Sequence, residues 1–266
     1  MKIATWNINS VRLRLNLVAR FLRQHQPDVL CLQETKVIND LFPAKRLQEL
    51  GYIHQAIHGQ KGYHGVAILS RLPFKRIEAH RLCDKEDCRH IAAWFDSGLE
   101  LHNFYVPAGG DIPDPGANPK FAHKLAFLKE LSALFAPRYS ERHNPVVLVG
   151  DLNVAPLPND VWSHKQLLKV VSHTPAETDL LNGAKAAFDW IDVARDFVPD
   201  NEKIYSWWSY RNRNWERSDR GRRLDHIWVS PGLRGAVAGH AILKPLRGWK
   251  RASDHVPVVA DIEVPR

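Results

Sequence analysis

The chain has 266 residues and a net charge of +8, from 37 Lys+Arg against 29 Asp+Glu. With 44% hydrophobic and 25% charged residues, it has the balance of an ordinary globule, which excludes disordered and fibrous architectures. A chain of this length buries enough surface to need neither disulfides nor a structural metal.

Lys2–Ile8 reads as the first strand, followed by an amphipathic helix over Leu13–His25 with Leu15, Val18, Ala19 and Leu22 on one face. Further strands are expected at Val29–Gln33, Gly65–Ser70, His90–Phe95, Leu99–Val106, Val146–Gly150, Leu224–Val229 and Val256–Ile262. A second helix is expected over Lys120–Phe135, with Phe121, Leu125, Leu128, Leu131 and Leu134 inward. Some strands follow one another through turns and others are separated by helices, a mixture that predicts layered packing over a purely parallel doubly wound sheet. No linker divides the chain, so one domain over residues 1–266 is expected. Its conspicuous irregular segment is Pro107–Pro119, where Gly and Pro supply seven of thirteen residues, and loops of that length are commonly functional.

No apolar run approaches the ~20 residues that span a bilayer. Asn7, Asn9 and Arg12 interrupt the N-terminus too early for a signal-peptide core. Three cysteines, Cys31, Cys83 and Cys88, are an odd and small set for a secreted disulfide framework. The expected compartment is the cytoplasm. The net positive charge and nine tryptophans are compatible with a polyanionic partner and, equally, with simple solubility.

Four segments place an acid beside an apolar run: Gln33-Glu34 after Val29–Leu32, Gly150-Asp151-Leu152-Asn153 after Val146–Val149, Asp225-His226 within Leu224–Val229, and Ser253-Asp254-His255 before Val256–Ala260. Each alone is also an ordinary strand end, because Asp and Asn favour turns. Together they suit phosphodiester hydrolysis. A hard divalent cation needs one or two carboxylates, another carboxylate takes a proton from water, and an imidazole stabilises charge developing on the phosphoryl oxygens. Trp6-Asn7-Ile8-Asn9 faintly echoes the Gly150–Asn153 segment, too weakly to establish a repeat.

In order along the chain, Thr5-Trp6-Asn7, Leu32-Gln33-Glu34-Thr35-Lys36, Gly62-Tyr63-His64-Gly65-Val66-Ala67, Asn103-Phe104-Tyr105-Val106-Pro107, Gly150-Asp151-Leu152-Asn153, Arg223-Leu224-Asp225 and Ser253-Asp254-His255 resemble the exonuclease III type apurinic/apyrimidinic endonucleases of the endonuclease/exonuclease/phosphatase superfamily. That resemblance implies a four-layered α/β sandwich: two packed mixed sheets flanked by helices, with a site at one end. It implies Glu34 as principal metal ligand, with Asn7 its neighbour in the metal and phosphate shell and Asp254 an outer carboxylate of the metal site. Asp151 would position the attacking water beside Asn153, Asp225 would orient His255 towards the scissile phosphate, and Tyr105 would contact phosphate or leaving group. The implied cofactor is Mg²⁺, with Mn²⁺ as the alternative. The implied substrate is duplex DNA with abasic sites or blocked 3′ ends, cut by a monomer.

Independently, Tyr205–Arg223 sets five aromatic residues among six arginines, and Lys244–Arg251 forms a second basic run. Arginines reach phosphates and aromatics stack on bases or sugars, although the same composition describes a solvated Arg-rich loop over core tryptophans. Arg211, Arg247 and Lys250 are expected on phosphates. Trp207, Arg222 and Leu224 match positions lining the abasic-sugar pocket in the resembled family, where Arg222 departs from an apolar or aromatic wall. Rival readings are a phosphatase or phosphodiesterase acting on inositol phosphates or sphingolipid, and a non-catalytic DNA-binding protein. Gly59-x-x-Gly62-x-x-Gly65 leads into a strand, so a turn outweighs a phosphate loop, and Cys83-x4-Cys88-x-His90 lacks a fourth zinc ligand.

Overall fold

The computed structural model describes residues 1–264. In chain order the strands are β1 (Lys2–Asn7), β2 (Val29–Gln33), β3 (His54–His58), β4 (Val66–Ser70), β5 (Phe74–Glu78), β6 (His90–Phe95), β7 (Glu100–Tyr105), β8 (Val146–Asp151), β9 (Ile191–Asp192), β10 (Trp207–Trp208), β11 (Gly221–Arg222), β12 (Asp225–Val229), β13 (Val237–Ile242) and β14 (Val258–Ile262). The α-helices are α1 (Leu15–His25), α2 (Ala44–Gln48), α3 (Pro119–Phe135), α4 (His164–Leu167), α5 (Pro175–Ala186), α6 (Val193–Phe197) and α7 (Trp215–Ser218).

Two six-stranded mixed sheets result, in the orders β13-β14-β1-β2-β4-β3 and β5-β6-β7-β8-β12-β9, beside a small β10-β11 ladder. Side chains alternate along each strand, so each sheet buries one set of residues against the other sheet and the opposite set beneath helices. Ile3, Val29, Ile68, Leu101, Val149 and Ile227 belong to the core between the sheets. Trp6, Leu30, Leu32 and Leu69 pack with α1 through Val18, Phe21 and Leu22. Phe104, Leu148 and Trp228 pack with α3 and α5. These are the four layers expected, and each fully buried aliphatic side chain contributes about 1.5–3 kcal/mol.

Two polar side chains enter the region between the sheets. Gln33 at the end of β2 donates to Asn103 Oδ1 of β7 at 2.7 Å and to Thr5 Oγ1 at 2.8 Å. Asn103 donates back to the carbonyls of Leu32 and Ala67, both at 3.0 Å. All three side chains are fully buried.

Each sheet contains one parallel pair, β1 with β2 and β7 with β8. Asn7 aligns with Gln33, and Tyr105 with Asp151; antiparallel β12 brings Asp225 opposite Asp151. The chain leaves these strand ends through left-handed residues, Glu34 at φ 50° and Asn153 at φ 53°. Gly150 adopts φ 144° so close to β7 that any side chain would run into the Phe104 carbonyl.

The helix over Lys120–Phe135 is present, but its inward face is Phe121, Lys124, Phe127, Leu128, Leu131 and Phe135. Leu125 and Leu134 are only partly buried, because the inward stripe includes a lysine that apolar periodicity assigns to solvent. Strands β3, β5, β9, β10, β11 and β13 and helices α2, α4, α5, α6 and α7 were not among the expected elements. β5 and β13 lie at sheet edges with mixed polar faces, and β9 has two residues.

Candidate active site

The expected chemistry-bearing side chains converge at one end of both sheets, around a cleft of about 760 Å³. Glu34, Asp151, Asn153, Asp254 and His255 line it, while Asn7, Tyr105 and Asp225 are buried and bonded to these residues. The turn carrying Glu34 is held by backbone bonds from Ser10 N to Glu34 O (2.7 Å), Thr35 N to Gly65 O (3.1 Å) and Lys36 N to His64 O (2.9 Å). A non-glycine residue with positive φ, pinned this firmly, is the kind of local strain that accumulates at working sites.

Asn7 joins the two sheets chemically. Its Nδ2 donates to Glu34 Oε1 at 3.0 Å and to Asp151 Oδ2 at 2.8 Å, while its Oδ1 accepts from Asn9 N at 3.0 Å. Both ends of the amide are thus used, and Asn7 orients two carboxylates while its Oδ1 keeps a second lone pair. Tyr105 donates its hydroxyl to Glu34 Oε1 at 2.8 Å. Lys36 sits 2.7 Å from Glu34 Oε2 and 2.5 Å from Asn9 Oδ1; Asn9 in turn donates to Asp254 Oδ1 at 3.2 Å. Burial alone would raise the Glu34 pKa, but Lys36 and the hydrogen bonds from Asn7, Lys36 and Tyr105 hold it below the ordinary value.

Asp151 has the opposite environment. Burial, reinforced by Asp225 and Glu34 and opposed by His255 and Asn7, pushes its pKa up to about 7. Its Oδ1 accepts from Asn153 N at 2.9 Å and its Oδ2 from Asn153 Nδ2 at 3.1 Å. His255 bonds Asp225 Oδ2 through Nδ1 at 2.8 Å and places Nε2 3.7 Å from Asp151 Oδ2. Burial works against the imidazolium, yet Asp225 and Asp151 raise His255 to about 10. Ser206 Oγ donates to Asp225 Oδ2 at 2.6 Å. Tyr105 stays a phenol, its pKa pushed well above 10 by burial and by Glu34 and Asp151.

The donor set facing the cleft at Glu34 fits a hard divalent cation, which takes carboxylate oxygens and retains waters. The Lys36 ammonium against Glu34 Oε2 marks the position as one that stabilises positive charge. Asp151, Asp225 and His255 also approach within 4.8 Å of one another, with His255 hydrogen-bonded to Asp225 and in ion-pair range of Asp151 as an acid–imidazole relay.

The basic aromatic segment divides. Trp207, Arg222 and Leu224 line the cleft, with the Arg222 guanidinium 5.2 Å from the Trp207 ring centroid, within cation–π range. Trp207 Nε1 also donates to Asp254 Oδ2 at 2.9 Å. Arg211 is exposed at the rim, and Lys250 is exposed elsewhere. Tyr205 and Trp208 are core residues. Arg247 corrects an expectation: it is buried and donates to the Trp208 carbonyl at 3.3 Å. Its guanidinium packs against the Tyr210 and Trp215 rings. Asn9 and Ser206 were not among the expected site residues; a short polar side chain next to a motif is the only signal either one carries in the sequence. The three cysteines are free, and the His90 ring bonds His102 at 3.0 Å.

Two mixed sheets sandwiched between helices, with an ionised carboxylate and an acid–imidazole relay under one cleft, define a hydrolytic α/β sandwich. Residues 4–255 match the Endonuclease/Exonuclease/phosphatase family, and the chain belongs to it. It is 30% identical over 274 residues to Exodeoxyribonuclease III of Haemophilus influenzae, covering 99% of this chain and 100% of that protein. The 3′ phosphatase NExo from Neisseria, solved bound to a product DNA hairpin, superposes with a TM-score of 0.90 at 33% identity, covering 98% of this chain and 99% of that one. An AP endonuclease from Archaeoglobus fulgidus also gives 0.90 at 33% identity, over 99% and 100% of the two chains.

Proposed function

We propose that this chain is a DNA-repair nuclease: a monomeric, Mg²⁺-dependent enzyme, with Mn²⁺ as alternative metal, that hydrolyses the phosphodiester 5′ to an abasic site in duplex DNA. It also removes 3′ blocking groups or 3′ nucleotides. The observation that carries the reading is the junction at Asn7, which links an ionised Glu34 to an Asp151 that titrates near neutrality. Glu34, with Asn7 beside it and Asp254 further out, would hold the divalent ion, which when bound would supply Lewis-acid polarisation of the phosphate.

The protein's own groups do the rest. Asp151, with a pKa of about 7, takes a proton from the attacking water, and a base matched to the working pH is the efficient choice. Asn153 holds that carboxylate in place. His255, protonated through its pairing with Asp225, offers positive charge to the phosphoryl oxygens, and the Tyr105 phenol donates a hydrogen bond in the same region. Trp207, Arg222 and Leu224 receive the flipped baseless sugar, which has little stacking to lose. Arg211 and Lys250 face the phosphate backbone.

The test is timed digestion of a labelled duplex carrying one abasic analogue and a recessed 3′ end, with Mg²⁺ and with excess chelator, beside a soluble phosphomonoester. Metal-dependent nicking 5′ to the lesion is expected. Full activity in chelator, hydrolysis of the soluble ester alone, or DNA binding without nicking would overturn the proposal. No helix among the described residues is long and apolar enough to cross a membrane.

A further inference from the structure

Beneath the cleft lies a lysine with no exposed surface. Lys124 of α3 is fully buried, as is Glu177 of α5, and the two meet at 2.5 Å. Burying two charges is costly, and an apolar pair of equal volume usually stabilises a fold at least as well. The structure shows what this pair does that an apolar pair cannot.

Lys124 Nζ donates to the Asn153 carbonyl at 2.7 Å and to the Ala108 carbonyl at 3.3 Å. It thereby holds the turn after Asp151 and the start of the Pro107–Pro119 loop. Glu177 accepts from Ser172 N at 2.8 and 2.9 Å, from Thr174 N at 3.1 Å and from Thr174 Oγ1 at 2.7 Å. Ser172 is a non-glycine residue at φ 87°, a conformation that persists only when its surroundings impose it. Its Oγ accepts from Arg222 Nη1 at 2.7 Å, and the same nitrogen reaches the Val171 carbonyl at 2.9 Å. Ala155 N donates to Ser172 O at 2.8 Å, closing the circuit back to the catalytic turn.

We propose that Lys124 and Glu177 act as one positioning pair, fixing the turn that carries Asp151 and Asn153 in register with the Ser172–Arg222 wall of the cleft. The proposal rests on the hydrolytic reading above. Neither residue touches substrate: Lys124 acts through the Asn153 carbonyl, and Glu177 through the backbone of Ser172. Catalysis and lesion selection are thus set by one buried contact between two outer helices.

The deciding variant is Lys124→Met with Glu177→Met, which removes both charges together and leaves neither one buried alone. Its thermal midpoint, its kcat and KM on abasic duplex, and the hydrogen exchange of the amides of residues 153–155 and 170–174 are measured against the parental protein. Misplacement by about 1 Å can cost on the order of 100-fold in rate. The expected result is a variant that still folds with a lowered midpoint, because the Ser172 and Thr174 amides and the Asn153 and Ala108 carbonyls lose their partners, with kcat at least about 10-fold lower, KM little changed, and faster exchange in both segments. A folded double variant with parental kcat, or with parental exchange, would mean that the pair is only packing.

Ser172→Ala supplies a second reading that does not depend on the double variant folding. It should lower the ratio of initial rates on abasic over intact duplex severalfold, and an unchanged ratio overturns the link to Arg222. If the parental protein cuts neither abasic nor 3′-blocked duplex, the functional reading fails. The exchange comparison still tests the pair.

Discussion

At the end of the first sheet, Glu34 is surrounded by donors: an amide from Asn7, a phenol from Tyr105 and the ammonium of Lys36. At the end of the second, Asp151 is buried with Asp225 and Glu34 as electrostatic neighbours, and its pKa rises to about 7. Both carboxylates terminate the central parallel pair of their sheet, and they share one amide. The halves nevertheless hold their acids in different protonation regimes, the first suited to attracting a cation and the second to exchanging a proton. Two strand-end carboxylates acquire different chemistry from what surrounds them, as is general when environments push paired carboxylates apart.

The sharpest way to break that comparison is to exchange acid for amide on each side. Asp151→Asn keeps the shape and removes the base, so turnover should fall by about 10²–10⁴-fold while affinity for abasic duplex, read by fluorescence anisotropy, persists. Parental turnover would remove Asp151 from the proton-transfer role. Glu34→Gln should instead weaken Mg²⁺ binding in a calorimetric titration by at least about 10–100-fold, a loss typical even of groups one step removed from a metal. Activity should return partly at high metal concentration. A variant with parental metal affinity would show that the first half does not hold the cation.

The halves also differ beneath the catalytic end. The outer face of the first sheet packs on α1 through apolar residues, whereas the second buries imidazoles, including His226 on β12. Its Nε2 faces the Val154 carbonyl at 2.9 Å and its Nδ1 faces Arg223 at 3.2 Å. Burial and Arg223 lower the His226 pKa to about 4, so between pH 6.5 and 4 the unfolded chain binds a proton that the folded one refuses. Stability is therefore intact above pH 6.5 and declines towards pH 4, by up to about 3 kcal/mol from this group. Urea midpoints at pH 7.5 and 5.0 should diverge less for His226→Gln than for the parental protein; equal divergence would place the acid sensitivity elsewhere.

Smaller effects belong to the DNA-facing wall. Trp207→Ala should reduce the preference for abasic over intact duplex by about 3–30-fold, the equivalent of a desolvated cation–π contact of about 0.5–2 kcal/mol. Arg222→Ala should enlarge the pocket and raise relative activity on intact nucleotides. An unchanged ratio of initial rates in both would move lesion discrimination to Arg211 or the Pro107–Pro119 loop. The smallest effect is electrostatic: Lys250→Ala should flatten the plot of log affinity against log salt by about 0.9, one released counterion. Arg247→Ala should leave that slope alone and lower the melting temperature, because Arg247 braces aromatic rings.

How far the sequence reached follows from which interactions are local. Glu34, Asp151, Asp225 and Asp254 stood out because an acid beside a buried-type strand conflicts with its surroundings unless it is paired, whereas the pairing of His255 with Asp225 was expected from the family resemblance alone. Most central strands were readable through their aliphatic runs. The start of α5 carries a capping box, Thr174-Pro175-Ala176-Glu177, in which Thr174 Oγ1 and the Glu177 carboxylate bond each other's backbone, a local signal that the sequence reading did not use. Lys124 and Arg247 were beyond reach for a different reason. A charged side chain reads as solvent-facing, and only the arrival of Glu177, or of Tyr210 and Trp215, from distant segments makes burial tolerable.

The Gln33–Asn103 clasp between the sheets has a consequence for how the molecule assembles. Either sheet can form its own ladder first, and Gln33 finds Thr5 within its own sheet, but Asn103 finds Gln33 and the carbonyls of Leu32 and Ala67 only when β2 faces β7 in one alignment. A docking slipped by a residue would strand buried amide groups at about 1–3 kcal/mol each, whereas the surrounding aliphatic surface tolerates many alignments almost equally. The clasp thus favours one docking alignment of the two sheets, and that alignment is the one that brings Glu34 and Asp151 within reach of the same Asn7.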